Sequence, residues 1–277
     1  MIYDHIQMID KLPKFDNPPV IETILSAQFE HLDIFSNAHA GWFWKNYLDN
    51  QWIQVQEVPR IDDQFERFGN ERGWILNRGL RIAHAPQSER TQIIRSDWQR
   101  MIQVQDSRFI YNWRKGASNY PSYDEILPEY QELLDKFEGF VINAGNKKLR
   151  FNQWEVSYVN HLPKGELWES PKDWDKILIN LMAPAATVVG SNLDGFNGEW
   201  SLAIGDNKGR LYIAIKHARV GAADGDEIMV IQLTARGPVE DDRLGLINGF
   251  NLGREMIVRS FADMTSDDAH RFWKRRT

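Results

Sequence analysis

Asn17-Pro18-Pro19-Val20-Ile21-Glu22-Thr23-Ile24-Leu25-Ser26-Ala27-Gln28-Phe29 reads as a first strand. The two prolines cannot donate backbone hydrogen bonds and bias the residue before them towards extended geometry. They suit the entry to a strand better than its middle. From Val20 onward the side chains alternate. Ile21, Thr23, Leu25, Ala27 and Phe29 make one face, expected to be core. Val20, Glu22, Ile24, Ser26 and Gln28 make the other. A glutamate on a sheet surface is ordinarily solvated or salt-bridged. The functional reading of Glu22 is a carboxylate that lines a cleft and meets a cationic ligand.

Phe151 to Leu162 echoes this stretch. Placing Glu155 over Glu22 sets Trp154 on Ile21, Val156 on Thr23 and Tyr158 on Leu25. Elements after each opening strand follow a common order. In the first half, Asp33 or Ser36 opens a helix to about Asn50, and strands are expected at Trp52–Val58 and Trp74–Ala83. Thr91–Ser96, Gln99–Gln105 and Arg108–Trp113 read as antiparallel strands, with a turn at Asp97-Trp98 and a bulge or bend at Asp106-Ser107. Ser122 and Glu125 form a capping box for a helix to about Asn143. Ile126, Tyr130, Leu133, Leu134, Phe137 and Val141 share one face of it. In the second half, Ser170 and Pro171 open a helix to Met182. A hairpin follows at Trp200–Arg219, then a strand at Glu227–Ala235, a long helix from Asp241 to Met264 and a short one at Asp267–Trp273.

The expectation is therefore an α+β fold of two similar halves, each strand, helix, antiparallel strands, helix, packed about a pseudo-two-fold. Residues 1–16 form an N-terminal arm, 17–146 the first half, and 147–277 the second half with the C-terminal helices. A cleft between halves is the default ligand site.

Composition narrows the chemistry. The net charge of −6 argues against a generally basic nucleic-acid surface. With no cysteine, disulfides, iron–sulfur clusters and thiolate-bound zinc are excluded. No signal peptide and no apolar run of roughly 20 residues is evident, so a cytoplasmic protein is expected. The seven histidines show no HxH or HExxH spacing, and no nucleophile elbow, Walker loop or dinucleotide fingerprint occurs. No catalytic residue, metal ligand or cofactor is assigned. Eleven tryptophans are many for this length, and most are expected to fill core.

Seven residues are singled out for ligand binding: Glu22, Glu155, Trp98, Trp154, Tyr158, Arg108 and Trp113. Arg78, Arg81, Arg90, Arg95, Arg100, Arg108 and Arg114 alternate with Trp98, Phe109, Tyr111 and Trp113. That alternation fits a cationic, aromatic surface for an anion, or ordinary edge protection.

Asn17-Pro-Pro-Val-Ile-Glu22, Gln103 to Trp113, Tyr120-Pro-Ser-Tyr123 and Phe261 to Thr265 with His270 and Trp273 occur together and in order. Together they resemble a sporadically distributed bacterial family of this length with no assigned function. The resemblance implies no catalytic residues; the family's patchy occurrence suits an accessory role at a defence or stress locus. More distantly, the duplicated strand–helix–strand–strand order is similar to effector-binding domains of multidrug-responsive regulators, where a carboxylate and aromatics bind cations. The expected function is a non-enzymatic binding or protein-interaction protein with a protein or small-molecule partner, a homodimer being one such assembly. The alternatives are a small-molecule sensor with a cleft between the halves, and a hydrolase or nucleotide-processing enzyme using Glu22, Glu155 and a histidine.

Overall fold

The computed structural model describes residues 11–68, 89–116, 120–179, 193–221 and 224–276. In chain order the elements are β1 (Lys14–Phe15), β2 (Val20–Phe29), α1 (Asn37–Tyr47), β3 (Trp52–Val58), β4 (Arg90–Arg95), β5 (Arg100–Gln105) and β6 (Arg108–Arg114). Then come α2 (Tyr123–Asn143), β7 (Phe151–Pro163), β8 (Asn197–Ile204), β9 (Gly209–Arg219), β10 (Glu227–Pro238), α3 (Arg243–Met264), α4 (Asp267–Phe272) and β11 (Arg275–Arg276).

Among the described residues nine strands make one antiparallel sheet in the order β3-β4-β5-β6-β2-β7-β10-β9-β8, and β1 pairs with β11 in a separate ribbon. The fold is thus mixed α+β around a large antiparallel sheet. The two opening strands, β2 and β7, meet at its centre, with Leu25 opposite Val156 and Thr23 opposite Tyr158. No helix among the described residues is long and apolar enough to cross a membrane.

One face of the sheet is apolar and carries the helices. Thr23, Leu25, Ala27 and Phe29 lie on it beside Phe109, Tyr111 and Trp113 of β6 and Trp154, Val156 and Tyr158 of β7. The capping box at Ser122 and Glu125 starts α2, whose Tyr130, Leu134, Phe137 and Val141 are fully buried. Phe137 packs at 5.1 Å from Phe109 and 5.3 Å from Phe43 of α1, and Tyr130 meets Phe250 of α3 edge-on at 5.1 Å. α3 lies directly on an indole ring. A methyl added at Gly249 would stand 2.2 Å from Trp154 Cδ1, and one at Gly253 2.8 Å from Trp154 Cζ3. Only glycine permits that approach.

Several local expectations are corrected. A bulge between Val20 and Glu22 breaks the alternation. Val20 is therefore the buried residue on the helix side, and Ile21 is only half-buried. Of the two readings of Asp106-Ser107 the bend holds and the bulge does not: it is the turn between Gln105 and Arg108, which pair directly. The helix expected from Pro171 to Met182 is a 3-10 segment, Pro171–Lys176. Trp174 is drawn into the core edge-on to Trp168 at 5.6 Å, and Leu178 bridges to Thr265, which stops the helix. Residues 180–182 and the strand expected at Trp74–Ala83 lie outside the described residues.

The opposite face is polar, and much of it is buried. Gln105, Gln28, Ser26, Asn112, Arg108 and Gln153 are each at most 5% exposed. A strap of irregular chain, residues 59–68, crosses it. Gln105 accepts from the Ile61 N–H at 3.1 Å and returns a bond to the Ile61 carbonyl at 2.9 Å. Gln28 does the same for Gln64, at 2.9 and 3.1 Å. Each glutamine amide thus stands in for a peptide group of a neighbouring strand. The Glu66 N–H then donates to Gln153, and the Glu66 carboxylate accepts from Tyr212 at 2.8 Å, Arg236 at 2.9 Å and Arg210. Beside the strap an amide relay crosses β3 to β2: Gln56 donates to Gln92, Gln92 to Gln103, Gln103 to Asn112, and Asn112 to Glu22.

Candidate functional site

On the helix side a groove of about 530 Å³ opens between the start of α2 and the C-terminal half of α3, directly above the β2–β7 seam. Its floor is Val20, Tyr158, Asn160 and Leu233. Tyr120 and Tyr123 stand on the α2 side; Arg254, Ile257, Val258 and Phe261 on the α3 side. The rim is the segment leading into β2, with Lys14, Phe15 and Asp16, together with Lys115 and Arg276.

Each wall follows from local sequence. The Tyr120-Pro-Ser-Tyr123 segment runs into the capped start of α2, which places Tyr123 at the first helical position. Its hydroxyl donates to Asn251 Oδ1 at 3.0 Å. The rim is held by β1 against β11, Lys14 opposite Arg276 and Phe15 opposite Arg275. Phe15 anchors it by ring contacts at 5.9 Å with Phe261 and 6.2 Å with Trp273. Asp16 and Asn17 add backbone bonds to the Lys274 and Trp273 carbonyls, both 3.1 Å.

The electrostatics favour hydrogen-bond donation into the groove. Burial pushes the hydroxyls of Tyr120 and Tyr123 upward and that of Tyr158 well above the usual phenol value, so all three keep their protons at neutral pH. The Arg254 cation opposes burial at each of them, so it sits within range of all three phenols. Its guanidinium lies 4.6 Å over the Tyr123 ring and 3.4 Å from Asp124 Oδ1. A smaller cavity of about 300 Å³ shares the wall of Asn17, Pro18 and Lys115 and continues to His161, Glu166, Phe272 and Trp273. Burial lowers the pKa of His161 there, with Glu22 acting against it.

The seven candidate residues are scattered by this fold. Tyr158 is in the groove. Trp113 is buried behind it, 5.1 Å from the Tyr120 ring, and Trp154 is core beneath α3. Glu22, Glu155 and Arg108 lie together on the opposite, polar face. Glu22 pairs with Arg114 and Asn112, both at 2.9 Å, and Glu155 with Arg236 at 3.5 Å. Arg108 is 3% exposed and bonds Gln28 at 2.5 Å and the Asp62 carbonyl at 3.3 Å. Trp98 is 60% exposed at the β4–β5 turn. The arginines do not make one surface: Arg95 and Arg100 pair with Glu129 of α2, while Arg108 and Arg114 are on the other face, and Arg78 and Arg81 lie outside the described residues. At the start of β10, Glu227 pairs with Lys164 at 3.1 Å and Arg219 at 2.7 Å.

Sequence reasoning did not single out Tyr120, Tyr123, Asn160, Arg254 or Phe261 as site residues. The one signal was the pair of tyrosines flanking the cap of α2. Among the described residues no group of three or more His, Asp or Glu is placed to hold a metal ion.

The fold and groove define a class: an α+β protein with a ligand-sized, tyrosine-lined groove over the centre of an antiparallel sheet. Comparison with protein-family models, curated proteins and solved structures returned no match.

Proposed function

We propose that this chain is a non-enzymatic binding protein that takes a small molecule in the groove between α2 and α3. The observation that carries the reading is the groove itself. At about 530 Å³ it falls in the range of small-molecule sites, and an apolar wall with a few converging polar groups is the usual make-up of such sites. Tyrosines that hold their protons serve as donors for recognition rather than as bases. This favours the sensor-like alternative over a flat interaction surface.

The same proposal includes two similar halves related by a pseudo-two-fold. Its support is the strand order, in which β6 flanks β2 and β10 flanks β7, with β5 and β9 next outward. A groove above the β2–β7 seam then spans the junction of the halves. Kinship with the sporadically distributed bacterial family and a cytoplasmic setting are part of the proposal, resting on motifs and composition.

The test is ligand-observed NMR with a small-fragment collection against the wild-type chain and a Val258→Trp variant that fills the groove. Competing hits that vanish in the variant are expected. Hits spread over the surface and indifferent to the substitution would overturn the reading.

A further inference from the structure

The protein carries a net charge of −6, yet its groove is locally cationic. Lys14, Lys115, Arg254 and Arg276 line it against Asp16, Asp124 and Glu125. The three carboxylates are already engaged. Asp16 is bonded by Arg276 at 2.5 Å. Glu125 accepts from the Ser122 N–H and hydroxyl, both 3.0 Å, as the helix cap. Asp124, 67% exposed, touches Arg254 only at 3.4 Å, a loose surface pair. Lys14 and Lys115 have no carboxylate partner among the described residues. The uncompensated charge is therefore positive.

The donors converge with that charge. Arg254 lies over the Tyr123 ring, which orients the planar guanidinium, and its side chain is only 22% exposed. The Tyr120 and Tyr158 side chains line the same groove and are hydrogen-bonded to each other; Tyr158 gives its one proton to Tyr120, which leaves the Tyr120 hydroxyl as the phenol donor to the groove. A guanidinium beside a phenol donor matches the geometry of a carboxylate or phosphate better than that of an amine. The remaining wall, Phe15, Ile257, Val258 and Phe261, asks for an apolar body.

We propose that the groove's ligand is an organic anion: a carboxylate or phosphate monoester on an apolar body, its charge held by Arg254 and the Tyr120 hydroxyl, which Tyr158 orients. Lys14 and Lys115 stand at the mouth and steer it in. This rests on the groove reading above, and the experiment separates the two.

Isothermal titration of the full chain with phenylacetate, phenyl phosphate, benzyl alcohol and benzylamine reads the ligand class directly. Both anions, or one of them, bind; the alcohol and the amine bind at least tenfold more weakly. Phenylacetate against phenyl phosphate decides between carboxylate and phosphate. Arg254→Gln weakens the anion about tenfold or more, while Tyr158→Phe, which keeps the ring, weakens it less. Melting temperatures of both variants without ligand show whether they are folded, and Lys115→Gln, at an exposed position, gives a third reading through a shallower salt dependence. Equal binding of alcohol and anion, or no effect of Arg254→Gln in a folded protein, overturns the anion class. If that equal binding is abolished by Val258→Trp, the groove reading survives. Failure of all four probes to bind overturns the anion class as well.

Discussion

The two faces of the central sheet are sealed by opposite means. On the helix side, shape does the sealing: Trp154 fills the space left by Gly249 and Gly253, and phenyl rings interlock from Phe43 through Phe137 to Phe109. On the other side, hydrogen-bond matching does it: Gln105 and Gln28 each return both bonds of a strap peptide, and Glu66 collects two arginines and a tyrosine. Apolar packing tolerates neighbours that are roughly the right size. A buried polar network loses stability for each group left unpaired. The helix face is expected to fail as a unit, and the polar face piece by piece.

Gly249→Ala is the hardest blow to the first face. Its new methyl meets Trp154 Cδ1 at 2.2 Å, with the ring pinned between sheet and helix. Chemical denaturation is expected to show a loss of about 3 kcal/mol in a single cooperative transition. A loss below about 1 kcal/mol would mean that α3 slides freely over the sheet. Glu66→Gln tests the second face. It leaves two arginines sharing a neutral amide where a carboxylate 4% exposed had been. The expected cost is about 2 kcal/mol. Hydrogen exchange should quicken at the Ile61 and Gln64 amides while the strands keep their protection. Uniform quickening would erase the contrast between the faces.

The smallest effect is one of pH. His31 Nε2 stands 2.7 Å from Asp63 of the strap and Nδ1 2.8 Å from Asp106, and the imidazolium form donates to both. Burial pulls its pKa down, but hydrogen bonds and charge from Asp106 and Asp63 outweigh that, and the net shift is upward from 6.5. A raised folded value means that the clamp is complete below pH 6.5 and fades as pH climbs through that higher value. The side chain is 56% exposed, so solvent screening holds the contribution under about 1 kcal/mol. Strap exchange rates should rise with pH in the wild type beyond the intrinsic trend, and His31→Gln should flatten that excess. An unchanged profile in the variant would remove His31 from the clamp.

The helix face was legible because its signals are periodic. Alternation in β7 and in β2 from Glu22 onward, the 3.6-residue stripe of α2 and the capping box at Ser122 and Glu125 all matched the elements that formed. The polar face was not, because a glutamine bonded to a strap reads like one bonded to water. Gln28, Gln105 and Gln153 carry no pattern of their own, and their partners lie 36, 44 and 87 positions away. The alternation already put Tyr158 on the face of Leu25 and Glu22 on the other, so a single site holding both was at odds with the strand pattern itself. The groove escaped for another reason. Its walls come from β1, the β6–α2 connection and α3, and only tertiary packing brings them together.

The ribbon of β1 and β11 has a consequence for the order of events during synthesis. Asp16 and Arg276, which close the groove's rim, are 260 positions apart. While the ribosome is still making α4, the sheet and α3 have all their residues, but the rim has nothing to pair with. The rim of the groove is thus missing from a nascent or truncated chain and closes only when residue 276 has emerged.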